Sequence, residues 1–395
     1  MKVAGIVCEY NPLHYGHIAH IEKTRAALGL DCAIVCVMSG NFVQRGDFAV
    51  FNKHARARAA LIGGADLVLE LPVPYVLSSA ESFASAGVYL LDMVGICSHI
   101  SFGSEVGNID EFSGIVEFLV SDRVSELLKE RLSSGVSYAR GLQEVSDDVL
   151  GAKSNLLRSP NNLLGIEYLK ALQVSKSALI PFTIKRIGGA HDGDFGISAS
   201  LIRRRMLNSE SFGLYMPSDA KSVFQSEISD GRGPVSMQSA ELAMLSRLRA
   251  IHDFSNLSGV SEGIDHRLQR FAKSESTISA ILDSVKTKRY SMSRVRRLLL
   301  NACLGIGADD IAVPPPYAKV LAMNRAGMSL LKEAKRLSRI PLITKPAAAK
   351  ALEGHAAQVF EREVAATDFY VLSYQNSKYR LGGQEWRNGP IVISR

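Results

Sequence analysis

Two histidines, His14 and His17, stand three residues apart with Gly16 beside the second. On a helix this spacing puts both imidazoles on the same side, a turn apart. Gly16 carries no side chain, so a flat ring can lie against the backbone there. Just before them runs Cys8, Glu9, Tyr10, Asn11, Pro12 and Leu13, with a turn at Asn11-Pro12. A polar turn that opens a helix offers free N–H groups and a partial positive charge. Together these features read as a phosphate-binding site in which the imidazoles stabilise charge. The alternative is a helix-capping turn that carries two surface histidines. No serine or cysteine sits in a G-x-S-x-G or Cys/His arrangement, so covalent catalysis has no obvious nucleophile.

The elements around this turn are readable. Val3 to Val7 has the length and β-branching of a buried strand, and Ile18 to Leu28 has helical spacing. Further strands are expected at Cys32–Ser39, 67–71, 99–102 and 179–184. Helices are expected at 52–62 (with Lys53, Arg56 and Arg58 on its outside), 80–94, 109–145, 163–172 and 201–207. Strands that alternate with helices imply a Rossmann-like, doubly wound parallel sheet with right-handed crossovers. In such sheets ligands sit at the carboxyl ends of the strands, near the switch point. That rule selects four loops: Glu9 to His17, Gly40 to Asp47, Gly103 to Glu105, and Arg186 onward. The dinucleotide G-x-G-x-x-G and the P-loop are both absent.

Each strand end carries a candidate. Gly103 would let an adenine or ribose approach the backbone, or is a plain strand-to-loop glycine. Ser104 and Glu105 would bond a ribose or cap a helix. Lys185 and Arg186 follow the fifth strand, and an arginine there matches a phosphate bidentately. In Ile197-Ser198-Ala199-Ser200-Leu201-Ile202-Arg203 two hydroxyls open a helix with an arginine one turn inside, a second anion site or an ordinary N-cap. Asn161 and Asn162, after Pro160, read locally as an N-cap.

The chain has 395 residues, 47% hydrophobic and 22% charged, which is enough for two or three domains. Net charge is +7, and the pI of about 9.1 suits a polyanionic partner. The five cysteines are odd in number, and Cys32 and Cys36 lie in a strand-like run with no Cys/His cluster after them, so zinc is not expected. No signal peptide and no apolar run long enough to span a membrane is visible, which makes a cytoplasmic location the expectation. Ser218 to Gly233 reads as a linker. It separates an α/β domain (1–217) from a mainly helical, basic one (235–395). The latter carries Lys286, Lys288, Arg289, Tyr290, Arg294, Arg296 and Arg297, then Lys332, Lys335, Arg336 and Arg339. Such runs supply phosphate affinity and a ring for stacking on an unpaired base, or are solvated helix faces.

His14-Tyr15-Gly16-His17 resembles the HxGH signature of nucleotidyltransferases and class I aminoacyl-tRNA synthetases. Ile197 to Arg203 resembles the I-S-x-[ST]-x-[IL]-R element of nucleotidyltransferases. Val7 to His17, Ser39 to Asp47, Gly64 to Pro72, Ser101 to Glu105, Ser159 to Asn162, Lys288 to Tyr290 and Pro341 to Lys345 together resemble the tRNA(Met) cytidine acetate ligase family over nearly the whole chain. The resemblance implies an enzyme that activates acetate with ATP as acetyl-adenylate. It would then acetylate N4 of the wobble cytidine of elongator tRNA(Met). It further implies that ATP lies along Val7, Cys8, Glu9, Tyr10, Asn11, Pro12, Leu13, His14, Tyr15, Gly16, His17, Ile18, Ala19 and His20. Gly103, Asn161 and Arg186 complete that expected set. His14, His17, Ser198 and Arg203 are the expected catalytic groups, and Lys288, Arg289, Arg294, Arg296 and Arg297 the expected tRNA contacts. Mg²⁺ would help neutralise the phosphates, though no acidic pair stands out as its ligand. A small-molecule nucleotidyltransferase and an RNA-binding protein with a relic nucleotide site are the rival readings.

Overall fold

A computed structural model describes residues 2–133, 136, 138–186 and 198–394. Its strands are β1 (Val3–Cys8), β2 (Ala33–Ser39), β3 (Phe42–Val43), β4 (Asp47–Phe48), β5 (Leu67–Leu71), β6 (His99–Ser104), β7 (Ile180–Lys185), β8 (Ala318–Met323), β9 (Leu342–Ile343) and β10 (Ile391–Val392). The main sheet runs β10-β8-β5-β2-β1-β6-β7, with β9 beside β8, while β3 and β4 form a small hairpin. All its pairings are parallel except β5–β8. Val7 lies opposite Val37, and Gly103 opposite Ile184. The chain leaves β1 towards β2 and β5, then returns to add β6 and β7 on β1's other side. The switch point therefore lies between β1 and β6.

Both faces of this sheet are buried, and the sequence alternation shows how. Val3, Val35, Val37 and Leu69 point into one core with Leu90, Phe112 and Ile166. Ala4, Ile6, Ile34, Cys36 and Val68 point into the other with Leu13, Ile21 and Phe51. A period of two with both phases apolar is what a sheet covered by helices on each side requires. A third core joins the helices Glu241–Ala250, Ile264–Ser274, Ile278–Val285 and Met292–Leu304 through Leu248, Leu268, Ile281 and Leu299.

Several expectations need correction. Ser218 to Gly233 is no linker: Ser218–Ser229 is a helix, and Phe224 on it is buried and stacks on Phe51 at 4.7 Å. Ala220, Phe224 and Glu227 recur at helical spacing inside a polar composition that hides them. The second half is mainly helical, as expected, but it also adds strands to the sheet of the first. After Leu304 the chain supplies β8 to the main sheet, then the long helix Gly354–Val371, then β10 to the same sheet. Lys53 and Arg56 do not face outward; they are 1% and 0% exposed, and only Arg58 is on the surface. Arg56 donates to the carbonyls of Phe51 (3.0 Å) and Ser39 (2.9 Å), and to those of Glu9 and Gly40. Its fork thus ties the chain leaving β1 to the chain leaving β2.

Candidate active site

A cleft of about 670 Å³ opens at the carboxyl ends of β1, β6 and β7. Its floor is the chain from Ile6 to Asn11. Phe102, Leu164 and Tyr168 form an apolar wall, and Arg45, Arg186, Arg203 and Arg297 bring positive charge. Three of the four expected loops meet here directly, and Gln44 and Arg45 bring the fourth.

The histidine pair opens the helix Tyr15–Leu28. His14 Nδ1 accepts from Gly16 N–H at 3.1 Å, and His17 Nδ1 accepts from the N–H of His14 at 3.3 Å. The two rings stack 3.8 Å apart. A Cβ at Gly16 would lie 2.9 Å from His14 Cε1, so the ring occupies space that only glycine leaves. Burial, with Arg186 and Arg203 nearby, pushes His14 down to about 4. Burial, with His14 and Arg186 nearby, holds His17 well below the ordinary imidazole range. Both rings are therefore neutral at pH 7. With each Nδ1 lone pair engaged, the proton resides on Nε2, which makes each ring a hydrogen-bond donor with no net charge. His17 and His20 line the cleft. His14 is 4% exposed and stands behind His17, so it is not a surface residue. His20 is pushed down to about 4 by burial and Arg186, and its Nε2 lies 3.0 Å from Ser101 Oγ.

Arg203, on the helix Ala199–Leu207, donates to Asn11 O at 2.7 Å and Ser200 Oγ at 3.1 Å. It therefore braces the histidine turn as well as lining the cleft. Ser198 is that helix's N-cap, accepting from Leu201 N–H at 3.1 Å. Ile197 lies outside the described residues. At Gly103 a Cβ would fall 3.1 Å from Arg186 Cγ, so the glycine admits the arginine stem. Glu105 accepts from Asn161 Nδ2 (2.7 Å) and Asn162 N–H (2.9 Å) at the start of the helix Pro160–Ser175. Asn161 lines the cleft, while Asn162 is buried and its Oδ1 holds Glu105 N–H.

Of the expected nucleotide stretch, Val7, Cys8, Glu9, Tyr10, Asn11, His17 and His20 line the cleft. Leu13 is buried in the core and Tyr15 is 47% exposed. Pro12, Gly16, Ile18 and Ala19 shape the turn and helix without lining the cleft. The basic run divides. Lys288 and Arg289 are exposed. Arg294 pairs with Glu262 at 3.0 Å, and Arg296 reaches Asp47 at 3.6 Å. Arg297 turns into the cleft, donates to Gln44 O at 3.3 Å, and is pushed down to about 10 by burial and Arg294. Tyr290 offers no stacking face: it is 4% exposed, its hydroxyl donates to Glu262 O, and Arg294 covers its ring. Ser293, Phe83 and Tyr168 also line the cleft, and nothing in their local sequence marks them.

Among the described residues no helix is long and apolar enough to cross a membrane. The chain matches the HIGH Nucleotidyl Transferase family over residues 1–385. It is 38% identical to the tRNA(Met) cytidine acetate ligase of Acetivibrio thermocellus, over the full length of both. It is also 38% identical to that of Caldanaerobacter subterraneus subsp. tengcongensis, over 95% of this chain and 96% of the relative. The crystal structure of Thermotoga maritima TmcAL bound with alpha-thio ATP superposes with a TM-score of 0.92 at 30% identity, covering all of both chains. The chain belongs to the tRNA(Met) cytidine acetate ligase family of HIGH nucleotidyltransferases.

Proposed function

We propose that this protein activates acetate with ATP to acetyl-adenylate and transfers the acetyl group to N4 of the wobble cytidine of elongator tRNA(Met). One observation carries the reading. A stacked, neutral histidine pair at a helix N-terminus sets His17 into a single cleft with Arg186 and Arg203. Acetate attacks the α-phosphorus and pyrophosphate leaves. Such a step needs positioning and charge stabilisation rather than a protein nucleophile. His17 supplies an Nε2–H donor, the two arginines supply charge, and Phe102 with Tyr168 offers the adenine an apolar wall beside Gly103. Neutral donors suit the task because they need no rearrangement as charge develops.

Mg²⁺ would arrive with the nucleotide. Among the described residues, Glu9 is the one carboxylate lining the cleft, and no group of three metal-ligating side chains occurs. That chemistry fits an ion carried on the triphosphate, which keeps its waters. The tRNA surface we assign to exposed Lys286, Lys288 and Arg289, because the helix they precede sends Ser293 and Arg297 into the cleft. A tRNA substrate makes the cytoplasm the site of action. Isotope exchange between ATP and pyrophosphate, run with acetate and with and without tRNA, tests the whole reading. Acetate-dependent exchange plus label transfer to tRNA(Met) is expected, and failure of exchange with acetate would overturn it.

A further inference from the structure

We propose that Glu9 is the proton acceptor of the transfer step. Its outer carboxylate oxygen takes a proton from the cytosine amine as N4 attacks the acetyl carbonyl. This rests on the function proposed above.

Glu9 is the only carboxylate among the described residues that line the cleft. Its Oε1 is committed, accepting from Gln44 N–H at 2.6 Å. Its Oε2 has no protein partner among the described residues. The histidines and Tyr10 are already occupied. The Nδ1 lone pair of His17 holds a backbone N–H, and His20 Nε2 is engaged with Ser101. The hydroxyl of Tyr10 lies against Cys36 Sγ in the core. The guanidinium groups have no lone pair to offer.

The surroundings suit a base. Arg45 from the hairpin, Arg56 from the helix Lys53–Ile62 and Arg203 from the helix Ala199–Leu207 favour the carboxylate. Tyr168 from the helix Pro160–Ser175 faces it, and Arg297 from the helix Met292–Leu304 bonds Gln44 O beside it. Burial outweighs these cations and lifts Glu9 above the usual carboxylate range. A base tuned upward serves proton transfer near neutral pH.

The step balances. N4 bonds to the acetyl carbon, the C–O bond to the phosphate breaks, AMP leaves with that electron pair, and one N4 proton passes to Glu9. The same oxygen also selects. A carboxylate accepts from a cytosine amine, whereas a uracil would set its O4 against it.

The test is single-turnover acetyl transfer to tRNA from acetyl-adenylate formed on the enzyme, with acetate-dependent exchange measured in parallel. Glu9→Gln keeps an acceptor for Gln44 N–H but removes the base. Transfer should fall roughly a hundred- to ten-thousand-fold, and by far more than exchange falls. In the native enzyme the transfer rate should rise with pH through a midpoint above the usual carboxylate range, and Glu9→Gln should lose this limb. Equal losses in exchange and transfer would make Glu9 a loop anchor only and overturn the proposal. Should the variant melt early, the native pH profile decides, because a profile without that limb overturns the proposal by itself. If the native enzyme performs no acetate-dependent exchange, the function proposed above falls. If it exchanges and Glu9→Gln transfers normally, only this assignment falls.

Discussion

Two clusters of charge adjoin the loop from Gly40 to Asp47, and they are built in opposite ways. At the loop's start lies a closed network. Lys53 Nζ reaches Glu70 (2.6 Å), Glu363 (3.1 Å) and Glu385 (2.5 Å), while Lys319 reaches Glu70 at 3.1 Å and also Glu385. All five side chains are buried. Three acids face two bases, and the imbalance resolves itself: burial and Glu70 push Glu363 up to about 8, so it is protonated at neutral pH. At the loop's tip lies the cleft, where, among the described residues, Arg45, Arg186, Arg203 and Arg297 face one carboxylate and neutral imidazoles. Buried charge that serves the fold is paired until it cancels. Charge left unbalanced in a cleft is what a polyanion would complete.

Breaking each cluster should give a different kind of failure. The largest effect belongs to the cleft. His17→Ala should cost acetate-dependent exchange about a hundred- to a thousand-fold, the scale of one lost transition-state donor, with the melting transition nearly unmoved. Exchange at the native rate would remove the histidine pair from the chemistry. Second is the closed network. Lys53→Met leaves Lys319 alone to face the Glu70 and Glu385 carboxylates and should cost about 3–5 kcal/mol of unfolding free energy, read by denaturant titration. A native-like midpoint would mean that the network relaxes freely.

The folded chain holds a proton on Glu363 up to about 8, while the unfolded chain releases it near 4.5. The folded state therefore binds more protons across that window, so this group's contribution to stability falls as pH rises through it. Glu363→Gln should abolish that fall and match or exceed the native protein above pH 8, as thermal melts at several pH values would show. A parallel decline in both proteins would assign the pH dependence elsewhere. The smallest effect is on the exposed run. Lys288→Ala with Arg289→Ala should weaken tRNA binding a few-fold and flatten its salt dependence by roughly one unit of slope per lost contact, with exchange as the control. An unchanged slope would send the RNA surface to Lys332, Lys335 and Arg336.

The same contrast explains what the sequence could carry. β1, β2 and β5 are legible because burial on both faces writes apolar residues into both phases of the strand. The cleft's loops follow, since strand ends converge wherever a parallel sheet reverses its order. Lys53 is not legible as a core residue, because its partners Glu70, Glu363 and Glu385 lie on three other segments, the second of them 310 positions away. Until the fold brings those segments together, a lysine on a helix reads as solvated. β8 hides for the same reason: Lys319 is its second residue and is buried only because Glu70 and Glu385 meet it there. Arg297 looks like its neighbours Arg294 and Arg296, and only the packing of its helix on the hairpin separates them.

That packing is close. Gly46 has φ +75°, and a Cβ there would lie 2.5 Å from the backbone nitrogen of Arg297, so the hairpin tip lies flush on the helix Met292–Leu304. Arg297 then reaches over it to Gln44 O, and Gln44 N–H is held by Glu9. An RNA that shifts this helix must shift the hairpin, and with it the groups beside Glu9. Thermodynamic linkage makes such a contact reciprocal: whatever factor tRNA imposes on nucleotide affinity, the nucleotide imposes on tRNA. Two substrates that meet only at the end of the reaction would thus already be in communication before it begins.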